Sequence, residues 1–153
     1  RHQVRLTAST HDTRGILQNI APEALANTRR LEEKALHNLP DYTFYELDEQ
    51  AEADTLLISY GITAQASRQA VASMRESGDR VSLLIARTLF PVPPLYGEIA
   101  SRYKRIIVAE ENLTGQYRRL LFGALHSAFI RGVQGMGKMI HPEEIIREIK
   151  CDE

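Results

Sequence analysis

Two carboxylates, two amides, a hydroxyl and a glycine fall together in Glu110-Glu111-Asn112-Leu113-Thr114-Gly115-Gln116. Carboxylates accept protons, cations or amide hydrogens, amides and hydroxyls hold polar ligands or helix ends, and glycine lets backbone approach closely. An apolar run, Arg105-Ile-Ile-Val-Ala109, leads into this group, and a helical pattern starts near Thr114. The polar cluster therefore lies at the carboxyl end of a buried strand, the edge at which open parallel sheets meet ligands and partners. Asn112 or Thr114 is expected to cap the helix while the other side chains point outward.

The remaining constellations are weaker. Gly132-Val-Gln-Gly-Met-Gly-Lys138 has the spacing of a phosphate loop, but Met139 stands where the magnesium hydroxyl belongs and a helical pattern precedes it. It reads as a glycine-rich turn at a helix end. Ser77-Gly78-Asp79-Arg80 begins like a thiamine diphosphate motif, yet Arg80 replaces the second glycine; a helix C-cap is the simpler reading. Gly61 opens a helix without the other glycines of a dinucleotide fingerprint. The histidines, at 2, 11, 37, 126 and 141, form no HxxxH pair, and no serine sits in a GxSxG elbow. No self-contained catalytic constellation emerges.

These residues need elements to position them. Pro22 suits the start of an amphipathic helix running to about Asn38, with Ala24, Thr28, Leu31, Ala35 and Leu39 on its apolar side. Tyr42 to Leu47 alternates as an edge strand should, and Thr55 to Tyr60 and Val81 to Ala86 read as central strands. Between those two lies a helix capped by Thr63 with Ile62, Ala66, Ala70, Val71 and Met74 facing inward, so the flanking strands should be parallel. Arg87-Thr-Leu-Phe-Pro-Val-Pro-Pro94 is a stiff loop leading to a helix carrying Leu95, Ile99 and Tyr103. Past Thr114, Tyr117, Leu120, Leu121, Ala124, Leu125, Ala128 and Phe129 make an inward stripe, widened by Phe122 and containing Arg118. That width predicts a second contact surface. Gly132 to Gly137 is a loop or short strand, and Pro142 to Ile149 a last helix.

Composition narrows the function classes. A net charge of −1 over 153 residues, with Lys and Arg scattered, offers no nucleic-acid footprint. The single cysteine, Cys151, rules out an internal disulfide and any Cys-rich metal motif. No apolar run approaches a membrane span, which suits a reducing, cytoplasmic compartment. The chain opens on Arg1-His2-Gln3-Val4-Arg5 without a Met, as expected of a piece of a longer polypeptide.

Taken together, Tyr60-Gly61, Arg87-Thr88-Leu89-Phe90-Pro91-Val92-Pro93 and Val108-Ala109-Glu110-Glu111-Asn112-Leu113-Thr114-Gly115-Gln116 resemble the C-terminal part of the alpha subunit of 2-oxoacid:ferredoxin oxidoreductases. Thr10-His11-Asp12-Thr13-Arg14-Gly15 is similar to that family's His-Asp linker segment, with Thr10 where an acidic residue is common. Glu111 stands where the family often has a first asparagine. The resemblance implies a transketolase C-terminal-like α/β fold, a three-layer sandwich on a mostly parallel five-stranded sheet. It divides the chain into a linker and connector helix, 1–41, and the α/β domain, 42–153. It implies no cofactor here: thiamine diphosphate, magnesium and iron–sulfur clusters belong to other domains or subunits. The domain would then be a non-catalytic assembly module of an oligomeric enzyme, inactive by itself. Its partners would be the other alpha-subunit domain, a thiamine-binding beta subunit and a ferredoxin-type subunit. Arg87, Glu110, Asn112, Thr114, Gly115, Gln116 and Arg118 would carry the interface, and His11 and Asp12 the linker motif. Other readings are a stand-alone regulatory domain that binds a small ligand at the same sheet edge, and a transketolase or dehydrogenase-beta C-terminal domain.

Overall fold

The computed structural model describes residues 9–124 and 128–151. The opening Arg1-to-Arg5 segment, His2, Leu125 and His126 lie outside that range. The described residues fall into two compact units, the first ending at Tyr42 and the second beginning at Thr43.

The first unit holds a loop and helix α1, Pro22–His37, followed by a 3-10 turn at Leu39–Tyr42. Pro22 takes the first helical turn, where its missing N–H costs nothing. The Asn38 side chain closes the other end by donating to the Lys34 carbonyl at 2.7 Å. Ala24 and Leu39 are buried as the periodicity predicts, but Leu31 is exposed, so the apolar face is narrower than the spacing suggests.

The second unit is a three-layer sandwich. Its sheet contains β1 (Tyr45–Asp48), β2 (Thr55–Tyr60), β3 (Val81–Ala86), β4 (Arg105–Glu110) and β5 (Ile130–Gln134) in the order β1-β3-β2-β4-β5. Only β1 runs antiparallel. Strands β2, β3 and β4 are buried on both faces, which is why they are continuous apolar runs rather than alternating ones. One face packs on α2 (Thr63–Glu76) and α5 (Pro142–Lys150) through Leu57, Val71, Met74, Ile107, Ile145 and Ile149. The other packs on α3 (Pro94–Ala100) and α4 (Gln116–Phe122) through Ile58, Val108, Tyr96, Ile99 and Tyr117.

Several expectations need correction. Thr63 is a buried first helical residue rather than a cap, and Ile62 before it is 60% exposed. In α3 the buried aromatic is Tyr96, whose hydroxyl donates to the Phe44 carbonyl at 3.0 Å; Leu95 and Tyr103 are only half-buried. Helix α4 stops at Phe122, where Gly123 turns the chain at φ 84°, so Phe129 does not continue its inward stripe, and Leu120, within the helix, is 49% exposed. The glycine-rich segment begins inside strand β5, which takes Gly132 to Gln134 as the short-strand reading expects, instead of at a helix end, and Lys138 is held by Glu144 at 2.6 Å. Gly78, at φ 91°, does end α2 as a C-cap, with the Asp79 N–H donating back to Met74.

Candidate functional site

The chain leaves β2 toward β3 on one side and leaves β4 toward β5 on the other. Such a reversal opens a crevice between the carboxyl ends of the two strands. Tyr60 closes β2 and Glu110 closes β4, and the preceding pair Ser59 and Ala109 are in register. The acidic-amide cluster therefore sits at the switch point of the sheet.

Strand parity decides what Glu110 does. Ile106 and Val108 face α3 and α4, and a period of two sends Glu110 the same way. Its side chain is fully buried. There it meets the start of α4, whose N-cap is Gly115, a residue with φ 64° and no side chain to offer the helix amides. The first amides must be satisfied from elsewhere. Glu110 Oε2 accepts the Tyr117 N–H at 2.7 Å and Oε1 accepts the Arg118 N–H at 3.0 Å. Asn112 Oδ1 accepts the N–H groups of Gln116, at 3.0 Å, and Thr114, at 3.2 Å. The Asn112 amide in turn donates to Glu110 Oε2. A carboxylate at a helix N-terminus is also favoured by the helix dipole.

The expected Asn112 cap is thus present, but the Thr114 hydroxyl takes no such part and Glu110 points inward. Sequence reasoning missed that inversion, although the parity of 106, 108 and 110 carried the signal. Glu111 accepts the Ile140 N–H at 3.2 Å and so ties this turn to the segment entering α5. Above the cap, the Tyr60 and Tyr117 rings meet edge to face with centroids 4.9 Å apart. Burial pushes both phenols above their ordinary pKa. For Tyr60 the Asn112 amide partly offsets that rise.

The outward surface is different in kind. Leu113 is 69% exposed, and Thr114 and Gln116 are exposed beside it. Arg87 lies beyond β2, at the carboxyl end of β3, where it pairs with Glu46, which also pairs with Arg68. It borders a separate cavity of about 630 Å³ with Tyr60, Gly61 and Leu89. Arg118 is buried and lines another cavity, with Arg119, Arg131, Gln134 and Glu148, none of which the sequence singled out.

In the first unit, Asp12 organises a tight turn. Its Oδ1 accepts the N–H groups of Arg14 and Ile16 at 2.9 and 3.0 Å, and Oδ2 accepts the Gln18 amide at 3.1 Å. The Ile16 N–H above all holds the carboxyl below its ordinary pKa. The His11 carbonyl accepts from Asn27 at 3.1 Å. Both linker residues are thus engaged in local structure.

Comparison with known proteins agrees with this architecture. The family described as pyruvate:ferredoxin oxidoreductase core domain II matches residues 53–145. The 2-oxoglutarate synthase subunit KorA of Methanothermobacter marburgensis is 28% identical over 97% of this chain and 40% of its own length. The alpha subunit of 2-oxoacid:ferredoxin oxidoreductase 2 from Aeropyrum pernix is 33% identical over 54% of this chain and 13% of its own. The 2-oxoglutarate:ferredoxin oxidoreductase of Magnetococcus marinus superposes with a TM-score of 0.76 over 97% of this chain and 27% of that one, at 23% identity. A split-gene transketolase superposes at 0.52 over 69% of this chain and 40% of that one, at 14% identity, which shows a shared fold. The chain spans about 40% of the length of the KorA relative that it matches almost end to end. With the match running from the loop before β2 into α5, this chain belongs to the pyruvate:ferredoxin oxidoreductase core domain II family.

Proposed function

We propose that this chain is the assembly domain of the alpha subunit of a thiamine-dependent 2-oxoacid:ferredoxin oxidoreductase, acting in the cytoplasm. In the whole enzyme a 2-oxoacid is oxidatively decarboxylated to an acyl-CoA and the electrons pass to ferredoxin. Matches to proteins named as subunits of such enzymes support the reading.

The observation that carries the non-catalytic part is the fate of the polar cluster. Glu110 and Asn112 commit their acceptors to the N–H groups of Thr114, Gln116, Tyr117 and Arg118. Neither is left as a base for chemistry. What faces out is Leu113, Thr114 and Gln116, which are contact groups. In this reading Thr114 and Gln116, with Arg87 on the adjacent ledge, meet the neighbouring domain or subunit. Glu110, Asn112, Gly115 and Arg118 hold that surface in shape from below. The neighbours are the other alpha-subunit domain, a thiamine-binding beta subunit and a ferredoxin-type subunit.

Thiamine diphosphate with magnesium, and iron–sulfur clusters, need donor sets of their own. Among the described residues no group of three or more His, Cys, Asp or Glu is placed to hold a metal ion, and Cys151 is the only cysteine of the sequence. The described residues do not fit either group. The test is reconstitution. The chain should show no thiamine-dependent turnover alone and should bind the remaining alpha and beta polypeptides in a pull-down. Turnover by the chain itself, or no association with either polypeptide, would refute the proposal.

A further inference from the structure

Arg118 carries a guanidinium, a group with five donors and no acceptor, yet it is only 5% exposed and its Nε–H has no partner among the described residues. Its backbone N–H is taken by Glu110, and no ion pair of its side chain is found among the described residues. A permanently charged group held this deep with an open donor marks an incomplete site, because buried charge is tolerated when it is paired.

The space it borders is a cavity of about 360 Å³, also lined by Thr114, Arg119, Arg131, Gln134 and Glu148. Arg118 and Gln134 reach it across two glycines. A Cβ added at Gly115 would stand 2.6 Å from Gln134 Nε2 and 3.4 Å from Arg118 Nε. One at Gly132 would stand 2.7 and 3.3 Å from the same atoms. The glycines leave room for both donors to lie against backbone. Glu148 pairs with Arg131 at 2.7 Å. Beyond the Arg131–Glu148 pair, the Arg118 and Arg119 guanidinium groups give the described lining of the cavity a surplus of positive charge beside a hydroxyl and an amide.

We propose that this cavity binds the phosphate group of a small phosphorylated molecule. A phosphate monoester carries about −1.5 to −2 charge at neutral pH, which matches that surplus, and offers several acceptor oxygens. Its oxygens can take donors arriving from α4 and β5 together, with Arg118 Nε and a neighbouring guanidinium N–H serving one edge. The cavity is an addition to the assembly role, and its failure would leave that role untouched.

The probe is inorganic phosphate, titrated into the chain with succinate and chloride as controls at matched ionic strength, followed by calorimetry and thermal shift. Phosphate should bind saturably and raise Tm. Arg119→Ala, on an exposed side chain, should weaken it about tenfold, the equivalent of one charge-assisted hydrogen bond. Arg118→Leu should abolish it, while Glu148→Gln, which removes the negative charge, should tighten it. A purely structural role for these residues predicts no such opposite pair. Equal responses to succinate or chloride, no saturable response, or affinity unchanged in both Arg119→Ala and Glu148→Gln would overturn the proposal.

Discussion

A buried glutamate as the cap of another element has a measurable cost when removed. Glu110→Ala leaves the N–H groups of Tyr117 and Arg118 and the Asn112 amide without the acceptor they use. Unsatisfied buried donors and lost charge-assisted bonds together should cost about 3 kcal/mol or more. For a chain of this size each kcal/mol lowers Tm by about 2–4 °C. Glu110→Gln should be intermediate, because one amide oxygen remains but its NH2 now faces amide donors. Differential scanning calorimetry of the two variants checks the order. A neutral Glu110→Ala would show that solvent, not Glu110, satisfies the start of α4. By contrast Thr114→Val, at an exposed hydroxyl with no capping bond, should leave the unfolding free energy within about 0.5 kcal/mol of the parent.

At the scale of elements, α4 depends on a backbone shape only glycine adopts easily. Gly115→Ala adds a Cβ at φ 64° and brings it 2.6 Å from Gln134 Nε2, so the Gln134 side chain must move and the strained φ remains. The expected loss is about 1–2 kcal/mol, read from urea unfolding. Helix α5 should respond to acid. Lys138, first, and the His141 N–H hold the Glu144 carboxyl below its ordinary value of 4.5. The stabilisation is therefore complete above that value and is lost as pH falls through the lower, folded-state value. Amide protection in α5, taken relative to the intrinsic exchange rate at each pH, should fall over that acid range, and Glu144→Gln should remove that part of the pH dependence. How far these elements could be read beforehand follows from their burial. Strands β2, β3 and β4 announce themselves because both faces are covered. Strand β5, with Arg131 and Gly132 and only Val133 buried, has no such run. The end of α4 was obscured because apolar residues continue past Gly123 into exposed positions such as Phe129. Glu110 looked like one of several surface acids until strand parity was followed through it.

For the molecule as a whole, the second unit closes its own core on both faces of the sheet, and some of the large apolar side chains it leaves exposed lie on and around α4. Leu113, Leu120 and Phe129 are 69%, 49% and 67% exposed. On the proposed assembly role, Leu113, exposed beside Thr114 and Gln116 at the carboxyl edge of the sheet, is the apolar group that a neighbour would cover. Leu113 lies in the turn that Asn112 Oδ1 closes on the Thr114 and Gln116 N–H groups, so its backbone is held while its side chain is largely exposed. Changing it separates folding from docking. Leu113→Glu removes an exposed side chain and adds a solvated charge, so the circular dichroism spectrum should match the parent and the unfolding free energy should stay within about 0.5 kcal/mol of it. In the reconstituted enzyme the same charge would be buried against a neighbour, and association should weaken by about tenfold or more, since truncating or burying charge at an interface core costs at least 1–2 kcal/mol. Sedimentation velocity on mixtures of the variant with the remaining polypeptides gives the answer. Wild-type assembly by Leu113→Glu would place the docking surface elsewhere on the domain, with Arg87 and the proline-rich loop after β3 as the next region to alter.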